Sequence, residues 1–260
     1  MVECNGVGAD LSQITALGLT NYGHFTSMRV DDQRTRGLSR HLERLMRDCR
    51  RVFDADLDPD RVRHLIRHAL TGTPRSVVVR VTVFDPTLEL GYPGAEAEPH
   101  VLVTTRPATQ APLPALRLQS TAYRREVPDV KHVGLFGSLW HRRIAQRNGF
   151  DDVLFTDAEG IISEAATSNI GFVDGDRIVW PQADRLAGVT MRLISESRDG
   201  HVTTAPVTLG QLADVDAIFA TNAAVGIRPV RAIDGIQWPD EHPLLGVLCQ
   251  EYADIPAELL

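Results

Sequence analysis

The chain has 260 residues, a formal net charge of −7 and 43% hydrophobic residues, enough for one large domain or two small ones with a sizeable core. The acidic balance argues against a nucleic-acid-binding surface, and no apolar run approaches the roughly 18–20 residues of a membrane span. The N-terminus lacks a signal-peptide core, and Cys4, Cys49 and Cys249 are too scattered for a disulfide framework, so a cytoplasmic protein with reduced thiols is expected.

In chain order, residues 14–30 (ITALGLTNYGHFTSMRV) read as a loop entering a strand, with a turn at Asp31-Asp32-Gln33. Ser39 reads as the N-cap of a helix whose apolar stripe is Leu42, Leu45, Met46, Cys49 and Phe53. A second helix opens at Asp58-Pro59, faces Val62, Leu65, Ile66 and Ala69 inward, and ends near Gly72. The β-branched runs RSVVVRVTVFD and HVLVTTR read as strands, joined by the Pro/Gly/acidic loop PTLELGYPGAEAEP. Proline and small residues in RPATQAPLP place a domain boundary there, giving a small N-terminal domain (1–107), a linker (108–114) and a larger C-terminal domain (115–260).

Beyond the linker an extended segment leads to Lys131, and the helical run GLFGSLWHRRIAQRNG puts Leu135, Leu139 and Trp140 on one face before stopping at Asn148-Gly149. Consecutive strands follow, reversed at 157–160 and 174–176, and a helix starts near Thr190 just after Gly188. HVTTAPV is strand-like, TLGQLADV is a short helix with Thr208 and Gln211 as a capping box, and 216–238 reads as strand, loop, strand and turn before a last helix. The fold class is α+β, in two layers on either side of residue 110.

Lys131 is the only lysine; the other 26 of the 27 basic side chains are arginine. Arginine does not lose its proton at working pH, so an amine nucleophile that condenses with a carbonyl to a Schiff base must be this residue. Other chemistries lack their patterns. His64 and His68 are four apart but without HExxH or a third ligand, the cysteines lack zinc spacing, and no GxSxG or phosphate-loop motif occurs, so no metal is expected.

The segments VKHVGLFG, VLFTDAEGIISEAATSNIGFVDGDRIVWP and LAGVT, in this order and spacing, resemble the class IV aminotransferases, the fold-type IV pyridoxal-phosphate enzymes that include branched-chain and D-amino-acid aminotransferases and aminodeoxychorismate lyase. The resemblance covers most of the chain. It implies a two-domain fold, a small N-terminal α/β domain and a larger C-terminal one with an antiparallel β-rich core, with the cofactor pyridoxal 5′-phosphate at the seam. It also implies a homodimer, and amino acid and keto acid substrates.

Residue by residue, it implies Lys131 as the covalent amine and Glu164 as the carboxylate opposite the pyridine nitrogen, supported by Ser168 and Asn169. Gly188, Val189 and Thr190, at a helix start suited to a dianion, hold the phosphate together with Arg44. Thr221, Asn222 and Ala223 form a second phosphate-side loop, in which Ala223 replaces a hydroxyl residue common among relatives. Phe136 replaces the tyrosine often found five residues after the lysine. Arg29, Arg80 and Arg228 are candidates for a substrate carboxylate, and Tyr22 and His24 for the entrance. The implied reaction is transamination; a lyase releasing pyruvate and a catalytically altered binding protein are the alternatives.

Overall fold

The computed structural model describes residues 1–109 and 112–260; part of the expected linker, Gln110 and Ala111, lies outside the described residues. The chain forms two compact units. The first holds residues 1–109, 130–134 and 256–260, and the second residues 110–129 and 135–255. The five residues around Lys131 and the C-terminal five therefore belong with the first unit, although the sequence reading groups them with 115–260.

The first unit contains β1 (Val2–Cys4), β2 (Val7–Gly8), α1 (Leu11–Thr20), β3 (His24–Asp31), β4 (Arg34–Arg36), α2 (Leu38–Phe53), α3 (Pro59–Ala69), β5 (Ser76–Phe84) and β6 (His100–Pro107), with β16 (Ala257–Leu259) from the chain end. Its sheet runs β16-β4-β3-β5-β6-β1-β2 and is antiparallel throughout. Strand alternation puts Val77, Val79, Val81 and Val83 into one core with Met28, Val30, Val101 and Val103, covered by Leu42, Leu45, Val62 and Ile66 of the two helices.

The sequence expectations hold for α3, where Asp58 accepts from the Asp60 N–H and Pro59 occupies the first turn. Two others are corrected. Leu11–Thr20 is a helix, not a loop; Asp10 and Gln13 form its capping box, and it buries no residue, so it shows no apolar stripe to read. The N-cap of α2 is Gly37, in the left-handed region at φ 68°, not Ser39, whose N–H and hydroxyl instead donate to Glu258 of β16.

The second unit contains β7 (Leu116–Ala122), α4 (Phe136–Arg147), β8 (Asp152–Thr156), β9 (Ile162–Ala165), β10 (Asn169–Asp174), β11 (Arg177–Pro181), α5 (Val189–Ser197), β12 (Val202–Ala205), a 3-10 turn at Leu209–Asp214, β13 (Ala217–Asn222), β14 (Gly226–Ile233), β15 (Ile236–Gln237) and α6 (Pro243–Asp254). The sheet runs β12-β11-β10-β13-β14-β7-β8-β9, with β15 on β14. The pairs β11/β12, β14/β7 and β7/β8 are parallel.

Each face of this sheet has its own core. Ile170, Phe172, Ile218 and Ala220 pack on one side; Val173, Ala217, Phe219 and Trp180 pack on the other, under α5 and α6. Trp180 and Phe219 close directly over Gly171, where a Cβ would stand 2.5 Å from the Phe219 ring. The expected Thr208–Gln211 capping box is present. The expected apolar face of α4 is not buried: Leu139 and Trp140 are more than half exposed, and Phe136 is 77% exposed. Among the described residues no helix is long and apolar enough to cross a membrane.

Candidate active site

In the second unit, Asn169 and Thr221 face each other across β10 and β13. In an antiparallel pair, opposed residues point to the same face, here the one that α5 covers. Asn169 clamps the chain entering α5: its Nδ2 donates to Leu186 O at 2.7 Å, and its Oδ1 accepts the Gly188 N–H at 3.1 Å. A Cβ at Gly188 would overlap that oxygen, so glycine is required. Gly188 is the N-cap of α5, and no side chain caps the helix. Its first turn holds no acidic residue, leaving the positive end of the helix dipole open to an anion.

Beside this helix start are two buried hydroxyls. Thr190 and Thr221 are 1% and 2% exposed, and neither Oγ1 makes a hydrogen bond among the described residues. A buried hydroxyl left unpaired costs free energy, so such groups point to a ligand. Asn222 completes the loop: Nδ2 donates to Ser168 Oγ at 3.0 Å, and Oδ1 accepts the Ala224 and Val225 N–H groups, folding the chain around Ala223. The residues 169, 188–190 and 221 thus come together, with Ser168, Asn222 and Ala223 beside them. Together they can hold a phosphate-like dianion.

Glu164 lies on β9 and is buried. Arg125 Nε donates to its Oε1 at 2.8 Å, with both side chains about one-tenth exposed. Arg185, partly desolvated, is a second cation within electrostatic reach of Glu164. It stands three residues before Gly188, so one loop serves the carboxylate and the helix start. Neither arginine stands out in sequence. For Arg125 the only signal is a doubled Arg124-Arg125 in a run without regular structure.

In the first unit, the Lys131 segment is pinned to the start of β3. The Phe25 N–H donates to Lys131 O at 2.8 Å, the Val133 N–H to Gly23 O at 2.9 Å, and His24 bridges to His132. The Lys131 N–H donates to the fully buried Asp48, whose other oxygen takes two hydrogen bonds from Arg47. Lys131 Nζ lies 4.8 Å from the Phe25 ring centroid, and the Arg80 guanidinium lies 3.6 Å from the same centroid. Arg80 and the amine thus share one aromatic ring, and Arg80 Nε donates to Thr82 Oγ1 at 3.3 Å.

Arg44 is buried on α2, and its Nη2 donates to Thr26 Oγ1 at 2.5 Å; that hydroxyl also meets His41 Nδ1 at 2.7 Å. Burial, with Arg44 and Lys131 close by, holds His41 well below its ordinary pKa. Burial, with Arg44 and Arg47, pushes His24 down to about 3. Both imidazoles are therefore neutral and add no charge around the amine. His41, Arg44 and Asp48 form a buried polar edge of α2 at i, i+3 and i+7, a spacing that extends the Arg44 expectation by a turn each way.

The remaining candidates are engaged elsewhere. Arg29 is spread over Asp31, Ser76 Oγ and Thr109 O, and Arg228 Nε donates to Pro114 O at 2.6 Å. Tyr22 donates to Val52 O and packs edge-on against Phe53. Phe136 points outward and stacks on Trp140. Among the described residues no cluster of His, Cys, Asp and Glu is arranged to hold a metal ion.

Residues 23–233 match the family model for amino-transferase class IV. The chain belongs to this family. A similar protein, the probable branched-chain-amino-acid aminotransferase of Rickettsia bellii, is 33% identical over 125 residues. That stretch is 45% of this chain and 43% of the relative, so the match spans less than half the length of the curated protein. Among solved structures, the T.th. branched-chain amino acid aminotransferase with pyridoxamine 5′-phosphate superposes at a TM-score of 0.85, with 20% identity over 97% of this chain and 92% of that one. The putative 4-amino-4-deoxychorismate lyase of Legionella pneumophila superposes at 0.79, with 23% identity over 92% and 93%. Both solved structures share the α+β fold of this chain.

Proposed function

We propose that the chain is a pyridoxal-phosphate-dependent aminotransferase that moves an amino group between an amino acid and a 2-keto acid. The observation that carries this reading is the pair of unpartnered buried hydroxyls, Thr190 and Thr221, beside an uncapped helix start and one short loop from a buried carboxylate. That donor set fits a phosphate group next to a cationic ring, and the T.th. aminotransferase carries pyridoxamine 5′-phosphate. When bound, pyridoxal phosphate supplies an aldehyde for amines and an electron-accepting ring.

The chain's own groups do the rest. Thr190, Thr221 and the N–H groups from Gly188 onward hold the phosphate, and Arg44 supplies a guanidinium for it. Glu164 holds a negative charge against the ring nitrogen and favours its protonated form. Lys131 would be the covalent amine, and its Nζ, when free, would be the base that takes the proton from the substrate α-carbon and delivers it onward rather than back. Neutral His24 and His41 keep further positive charge from the amine, and Arg80, stacked on the same phenylalanine ring, is the arginine we assign to the substrate carboxylate. Phe136 supplies no hydroxyl.

We further infer a homodimer in the cytoplasm. The outer face of α4 exposes Phe136, Leu139, Trp140 and Ile144, an apolar stripe at i, i+3, i+4 and i+8 that suits a second copy. Free thiols at Cys4, Cys49 and Cys249 support a reducing compartment.

The test is a panel of L- and D-amino acids with 2-oxoglutarate or pyruvate as acceptor, following both keto acid products. Transfer that needs donor and acceptor supports the reading. Pyruvate release from aminodeoxychorismate without an acceptor would move the assignment to the lyase. No reaction and no cofactor binding would leave a binding protein on this fold.

A further inference from the structure

We propose that Arg125 is the positioning residue for Glu164, and that the protein's preference for a ring nitrogen in its cofactor depends on it. This rests on the pyridoxal-phosphate reading.

Four observations converge. Arg125 Nε holds Glu164 Oε1 at 2.8 Å in a nearly dry environment, where a charge-assisted bond fixes an oxygen firmly. Its Nη2 donates to Pro128 O at 2.5 Å, so the guanidinium is itself anchored by the turn that follows it. That turn is kept at a backbone cost: Val127, β-branched, stands at φ 44° in the left-handed region, which such residues avoid. The neighbouring pair Arg124–Asp184 ties the same turn to the loop that carries Arg185. The turn 124–128 is therefore built to deliver one guanidinium to one carboxylate.

With one oxygen fixed by Arg125, the orientation of the whole carboxylate is set before any ligand arrives. Without that bond the carboxylate keeps its charge and Arg185 nearby, but the oxygen that Arg125 fixes is released. The loss falls only on ligands that present a ring nitrogen.

The experiment compares two probes on the full-length protein: pyridoxal 5′-phosphate and its carbocyclic analogue, in which CH replaces the ring nitrogen. Dissociation constants come from absorbance or fluorescence titration, without turnover. The wild type is expected to prefer pyridoxal phosphate, and Arg125→Met to reduce that preference by about tenfold, the loss of one charge-assisted hydrogen bond. Arg125→Gln, which keeps a donor to Glu164, is expected to retain part of it and carries the comparison if Arg125→Met does not fold. If both probes weaken in parallel in either variant, Arg125 is merely structural and the inference fails while the cofactor reading stands. If the wild type binds neither probe, or both equally, the reading of Glu164 falls with it.

Discussion

Asn169 Oδ1 accepts the backbone N–H of Gly188 at 3.1 Å, so a strand residue sets where α5 begins. The same side chain reaches Leu186 O, and both contacts need a residue without Cβ at 188. Gly188→Ala should therefore displace the helix start, lower pyridoxal phosphate affinity by about tenfold or more, and destabilise the protein by about 1–3 kcal/mol. Cofactor titration and urea unfolding check this; unchanged affinity would detach the clamp from the phosphate.

Thr190→Val and Thr221→Val remove hydroxyls that have no hydrogen-bond partner among the described residues. Without cofactor, each variant should be as stable as the wild type or slightly more so, because an unpaired buried group is lost. Affinity for pyridoxal phosphate should fall about tenfold, whereas affinity for unphosphorylated pyridoxal should stay the same. Equal losses for both ligands would place the threonines away from the phosphate.

His24 and His41 are held neutral by burial and by nearby cations, His24 down to about 3 against an ordinary 6.5. Below pH 6.5 the unfolded chain takes up protons on these rings and the folded protein does not. Stability is therefore full above about pH 6.5 and falls as pH drops toward 3, by up to about 1.4 kcal/mol per pH unit for each ring. Urea midpoints at pH 7.5 and 5 measure the slope. His24→Leu, which also removes two ring nitrogens without partners among the described residues, should reduce the slope and leave the share of His41, without loss at pH 7.5.

Trp140→Glu should convert a dimer to a monomer in sedimentation equilibrium, because it places a charge in the exposed stripe of α4. A wild type that is monomeric at all concentrations would remove the dimer reading.

Much of the fold is legible in the sequence because its signals are local. Asp58-Pro59, the Thr208–Gln211 box and the Gly188 helix start each depend on a few adjacent residues whose backbone groups need partners. What sequence reasoning misses depends on contacts distant in the chain. Ser39 loses its cap role to Glu258, 219 residues away, and Arg125 is understood only once β9 brings Glu164 to it, 39 residues on. The helix α1 is the exception: its Asp10–Gln13 box is local, but with no buried face it lacks the periodicity that draws attention to a cap. The exposed face of α4 misleads for the opposite reason, since an apolar stripe says that something covers it and not what.

The most direct test uses the fact that Lys131 is the only lysine, so the chain offers one ε-amine besides its terminus. The protein is incubated with pyridoxal 5′-phosphate, reduced with borohydride, digested and mapped by mass spectrometry. One phosphopyridoxyl group per chain, on the peptide containing Lys131 and absent in Lys131→Ala, is the predicted result. No adduct, or an adduct only at the amino terminus, would contradict it.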